Sequence, residues 1–155
     1  MKPFEVQLSI THEAANKAVQ AVVNKALEIG VKASVAIVDA AGHQVAFLRV
    51  STAPLHSIDI AIDKAYTAAS YRIPTSQWAD AVAQGSEVLH QGLIVRPRLM
   101  TLGGGLPIRI DSEFIGAVGV SGGTEEQDEL CALEALCQLG ADLPRANKQT
   151  QLPFL

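Results

Sequence analysis

After Ile10 the apolar positions fall at helical spacing. Ala15, Ala18, Val19, Val22, Ala26 and Ile29 line one side, and Gly30 ends the run. Ser9 and Thr11 both offer a hydroxyl that can cap its start. The period then drops to that of a strand. Val35 to Asp39 (VAIVD) and Gln44 to Val50 flank the turn Ala40-Ala41-Gly42-His43, a pattern that predicts a hairpin. Ala53-Pro54-Leu55-His56 reads as a loop, and a second helix starts near Ser57, a good N-cap. Ile58, Ala61, Ile62, Ala65, Ala68 and Ala69 give that helix one narrow face of mostly small residues. Pro74 stops it. Thr75 caps a short third helix to about Gln84, with Trp78 and Val82 on one side. The stretch 86–97 fits neither period.

Three more strands are predicted at Arg98–Leu102, Leu106–Ile110 and Phe114–Val120, with Asp111-Ser112 as a tight turn between the last two. A final helix runs from Thr124 to about Leu139. Glu125, Glu126, Asp128 and Glu129 crowd its start, where the positive helix end favours acids. Strands joined by hairpins imply an antiparallel sheet, here of five strands, with helices packed on its faces: an α+β architecture. One domain over 1–155 is expected, with its core at about 10–140. Residues 144–155 form a polar tail with an apolar end, either disordered or docked on a neighbouring subunit.

Composition narrows the function. The chain has 155 residues, 48% hydrophobic and 18% charged, which suits one folded core and excludes a disordered chain. Its net charge of -4 and scattered basic residues argue against nucleic acid as the main partner. Residues 1–10 lack the apolar core of a signal peptide, and no apolar run has the length of a membrane span. A cytoplasmic location with no membrane partner is therefore expected. Cys131 and Cys137 share one helix but are separated by roughly 9 Å of rise, beyond disulfide reach, so both read as small core residues.

Candidate chemistry is sparse. Two glycine groups, Gly103-Gly104-Gly105 and Gly122-Gly123, flank the last two strands and call for bare backbone at both places. The glycines lead into neither a P-loop nor a GxGxxG fingerprint. Ser121-Gly122-Gly123-Thr124 opens a helix, so it reads either as an anion site or as a turn with Thr124 as N-cap. His12, His43, His56 and His90 form no zinc spacing, and the absence of CxxCH excludes a covalent haem. A lone histidine can still serve as a haem axial ligand, and His56, just before a helix, is placed best. Asp59 and Asp63 share a polar face with Lys64 near them, which reads as a solvated surface rather than a metal site. Ser121 lies outside GxSxG, so hydrolase chemistry is unsupported.

Four ordered segments carry a resemblance to a known family. They are Ala36-Ile37-Val38-Asp39-Ala40-Ala41-Gly42, Ala53-Pro54-Leu55-His56-Ser57-Ile58 through Lys64 to Ala69, Gly104-Gly105-Leu106-Pro107-Ile108, and Ile115 to Gly122. Over roughly Ile10 to Leu139 the chain resembles the GlcG/HbpS-like family, which includes the C-terminal domain of PduO-type proteins. The resemblance implies a profilin-like sandwich and homo-oligomers from dimer to octamer. It also implies non-covalent haem binding in some members, with His12 and His56 as candidate axial ligands. It carries over Lys64, the GGLPI segment and the VSGG segment as ligand-binding positions. No motif names a catalytic base or nucleophile, so the expectation leans against an enzyme.

Together these observations place a cleft between the second helix and the sheet. Gly103, Gly104, Gly105, Ser121, Gly122, Gly123 and Thr124 would line it, with His56 at its mouth and Arg49, Arg96 or Arg98 on ligand carboxylates. Haem or a related tetrapyrrole is the first expected ligand. The alternatives are a small hydroxy acid, diol or aldehyde, served by a binder or accessory enzyme, and a structural oligomer whose glycines only let backbones pack.

Overall fold

The computed structural model describes residues 1–145. The chain runs α1 (His12–Glu28), β1 (Ser34–Asp39), β2 (Gln44–Arg49) and α2 (His56–Tyr71). A 3-10 turn (Thr75–Gln77), α3 (Trp78–Gln84), α4 (Glu87–Ile94), β3 (Gly105–Ile110), β4 (Glu113–Ser121) and α5 (Glu125–Leu139) follow. The sheet is antiparallel with order β2-β1-β4-β3. The β1–β2 and β3–β4 pairs are hairpins, and β1 lies against β4 with Ser34 opposite Ser121. Asp111 and Ser112 both take positive φ (50° and 70°), the conformation that matches a two-residue hairpin turn to strand twist.

The sheet has four strands, not five. Arg98–Leu102 is a loop laid along α2. Thr67 Oγ1 accepts from the Met100 N–H at 2.9 Å and donates to the Arg98 carbonyl at 3.0 Å, and Thr75 Oγ1 donates to the Leu102 carbonyl at 2.7 Å. Hydroxyls on the neighbouring helical turns therefore take the backbone groups that a ladder would need. Two other starts shift as well. Thr11 rather than Ser9 caps α1, while Ser9 Oγ accepts from the Ala40 N–H. Ser57 is not an N-cap but a buried residue in the first turn of α2, its hydroxyl against that of Ser34 at 2.9 Å. Within the undecided stretch 86–97, Ser86 caps α4.

The two faces of the sheet pack differently. Alternation along β1 sends Val35 and Ile37 to one side and Ala36 and Val38 to the other. The first side meets α1 and α5 through branched side chains such as Val19, Val22 and Leu136. The second meets α2 through Ala61, Ala65 and Ala68. There Gly119 lets helix backbone rest on strand backbone: a Cβ at Gly119 would lie 2.1 Å from the Ala61 carbonyl oxygen and 2.4 Å from the Ala65 nitrogen. Cys131 is buried within the first side, whereas Cys137 is exposed, not a core residue, because it falls on the outer face of α5. The tail expected at 144–155 lies outside the described residues beyond residue 145. Among the described residues no helix is long and apolar enough to cross a membrane.

Candidate functional site

The glycine segments, Lys64 and the start of α5 do converge, around an ion pair. Lys64 is 2% exposed and leaves the sheet-facing side of α2. Its Nζ donates to the Val120 carbonyl at 2.9 Å and to Asp128 Oδ2 at 2.8 Å. Asp128 Oδ1 accepts from the Gly123 N–H at 2.8 Å. The bridge thus links α2, on one face, to α5, on the other, around the end of β4. Gly104 leaves the room for it: a Cβ there would sit 2.9 Å from Lys64 Nζ and 2.8 Å from the Asp128 Cβ. Burial pushes the Asp128 carboxyl up from its ordinary value. The Lys64 ammonium and the backbone N–H groups of Gly123 and Gly122 pull it part of the way back.

This arrangement closes the expected cleft. Gly105 and Gly119 admit α2 itself: a Cβ at Gly105 would meet the Lys64 carbonyl oxygen at 2.6 Å. Lys64 therefore faces inward and does not join Asp59 and Asp63 on the solvated side. Asp63 instead pairs with Arg98 at 3.0 Å. The start of α5 is also occupied by its own chain. Thr124 Oγ1 accepts from the Gln127 N–H, Gln127 Oε1 accepts from the Thr124 N–H, and Asp128 holds Gly123. The N–H groups that could cradle an anion between Ser121 and Thr124 are engaged there by side chains. Gly122 packs on the Lys32 carbonyl, 2.4 Å from where its Cβ would be. Gly103 borders an open groove of about 480 Å³ with Glu125, whose Oε1 accepts the Gly103 N–H at 2.6 Å.

The histidines lie apart from this knot. His56 opens α2 with an exposed ring that makes no hydrogen bond or ion pair among the described residues. His12, 82% exposed, opens α1 and lies 3.3 Å from Glu13. His43 stands 3.5 Å from Asp39, and the His90 ring contacts the Val82 carbonyl. Among the described residues no cluster of three His, Cys, Asp or Glu is placed to hold a metal. Arg49 is spent on the Ala53 carbonyl, and Arg98 on Asp63 and the Tyr66 ring, 3.6 Å from its centroid.

Asp128 was hidden among the acids at the start of α5. Its signal is positional: with Cys131, Ala132 and Ala135 it shares one helical face, and that face is buried. Lys64 likewise stands in the register of Ala61, Ala65 and Ala68. A charge in each buried register calls for a partner of opposite sign.

The chain belongs to the HbpS-like family, whose model, described as haem degrading protein HbpS-like, matches residues 10–137. It is 44% identical over 128 residues to a 15.0 kDa protein of Citrobacter freundii from the dhaT-dhaS intergenic region, covering 83% of this chain and 90% of that one. The crystal structure of Klebsiella pneumoniae protein ORFY is similar at TM-score 0.84 and 37% identity, covering 90% of this chain and 97% of that one. The crystal structure of a PduOC:haem complex is similar at TM-score 0.80 and 29% identity, covering 87% and 98%.

Proposed function

We propose that this chain binds haem or a related tetrapyrrole non-covalently and does so as a homo-oligomer. The observation that carries the reading is His56: an exposed imidazole with both ring nitrogens uncommitted, next to Leu55, an apolar side chain 72% exposed. That pairing suits axial ligation beside an apolar ring. Membership of the HbpS-like family and the likeness to a haem complex support it. His12 is the second candidate ligand.

A second copy belongs to this reading on physical grounds. The interior under α2 is closed, and neither His12 nor His56 lines the grooves at Gly103 or Arg72. A porphyrin held at His56 would have one face on this chain and need cover for the other. Surface for self-association is present. α4 buries none of its residues, and Val88, Ile94 and Val95 are 77–84% exposed on it and just after it.

Haemin titration of wild type, His12→Ala and His56→Ala, followed by absorbance, tests the reading. A saturable Soret band that disappears in one variant supports it and identifies the ligand. A band unaffected in both variants removes these histidines, and no saturable band removes haem. Following the band over time with ascorbate present separates binding from breakdown.

A further inference from the structure

We propose that the groove between the end of α2 and the β3–β4 turn binds the carboxylate or phosphate group of a small molecule, with Arg72 and Arg109 as its holders. The groove measures about 560 Å³. The two guanidinium groups share one aromatic ring: the Arg72 carbon lies 4.8 Å from the Phe114 centroid and the Arg109 carbon 5.6 Å. Among the described residues neither makes an ion pair. Among the described residues Arg109 donates to the carbonyls of Ser112 and Arg72, at 3.3 and 3.4 Å. Arg145 adds a third positive charge to the lining. Among the described residues the one carboxylate there is Asp142, which accepts from the Ser112 N–H at 2.7 Å and is held to the turn.

Local backbone irregularities aim both side chains. Arg72 caps α2 in the left-handed region (φ 57°, ψ 31°), a position that glycine fills at less cost. Arg109 follows a register shift between Ile108 and Arg109, which turns its side chain relative to the regular strand. Three arginines against one carboxylate leave the lining net positive, and an oxyanion offsets that charge while accepting forked hydrogen bonds. Arg98 shows the contrast, since Asp63 already neutralises it. Ile73, Pro74 and Pro107 supply apolar contact for the rest of the ligand.

The oxyanion has two sources, a free small acid or the propionate groups of a tetrapyrrole, and the site does not depend on haem binding. Calorimetry with succinate and with inorganic phosphate at low salt separates them when run beside haemin titration. Wild type, Arg72→Gln, Arg109→Gln and Arg72→Lys are compared, with circular dichroism to confirm folding. Succinate or phosphate binding that weakens about tenfold in either Gln variant, and less in Arg72→Lys, supports a free acid. Haemin affinity that falls in the Gln variants without succinate or phosphate binding supports the propionate source. Folded variants that change the binding of none of the three probes overturn the proposal. If either Gln variant unfolds, Arg72→Lys against wild type gives the same decision, because it keeps the charge and loses the fork. The histidine variants report on the haem reading separately.

Discussion

Lys64 and Arg72 stand about two turns apart on α2 and its cap, yet they meet opposite fates. Lys64 is sealed in, its ammonium divided between a carbonyl and a carboxylate. Arg72 is open, stacked on a ring, and makes no ion pair among the described residues. The difference follows from what faces each one. Gly104 and Gly119 let α2 sink onto the sheet near Lys64, so water is excluded and the charge needs its partner. At Arg72 the helix has ended, the sheet edge falls away, and water can solvate the guanidinium. At Gly104, Gly105 and Gly119 glycine marks where the protein fills itself; Arg72 and Arg109, unpaired among the described residues, mark where it leaves room.

The sharpest way to break the comparison is to remove Lys64. Lys64→Ala leaves Asp128 buried without its cation and is expected to lower stability by about 3–5 kcal/mol in urea denaturation. Part of that loss should disappear on acidification. The Asp128 carboxyl is already above its ordinary value when folded, and it rises further without the ammonium. A raised carboxyl contributes stability that is fully present below the unfolded value and lost as pH rises through the folded one. Urea midpoints of the variant should therefore approach wild type near pH 4, the ordinary carboxylate range. A loss that is constant from pH 4 to 7 would show that Asp128 is ionised throughout.

Gly119→Ala comes next. The added methyl meets the Ala61 carbonyl, and overpacking of this kind costs about 3 kcal/mol, read as a lower urea midpoint at unchanged slope. Near-wild-type stability would mean that α2 can ride up from the sheet. A smaller effect of opposite sign is expected from Arg72→Gly. It relieves a left-handed cap and should raise stability by about 0.5–1 kcal/mol, while removing the binding of succinate, phosphate or haemin that depends on Arg72. The smallest test is chemical. Burial pushes the Cys131 thiol up to about 11, so at pH 8 a disulfide reagent should titrate Cys137 alone in the native protein and both thiols in urea.

Much of the architecture was legible because it rests on local pattern. The α1 stripe from Ala15 to Ala26, both hairpins and the small-residue face of α2 follow from spacing alone. Arg98–Leu102 misled because its apolar residues fit a strand. The deciding factor was nonlocal: Thr67 and Thr75 had already claimed its backbone. The site was legible only in its members. Lys64 and both glycine groups do meet, but spacing does not tell whether glycines clear room for a ligand or for the protein's own helix. Arg72 and Arg109 escaped notice because a left-handed cap and a register shift bring them together, and neither leaves a pattern in the chain.

One bond of the β3 edge has a consequence for how copies of this protein avoid sticking. Gly105 gives its N–H to Thr75 Oγ1 at 2.9 Å, and Pro107, two residues on, has no N–H to give. A foreign strand approaching β3 finds its first two docking points blocked, and the register shift at Arg109 spoils the third. The other border of the sheet, β2 from Gln44 to Arg49, has no proline. Growth by sheet extension, whether a useful seam between subunits or the first step of fibril formation, therefore has one permitted direction.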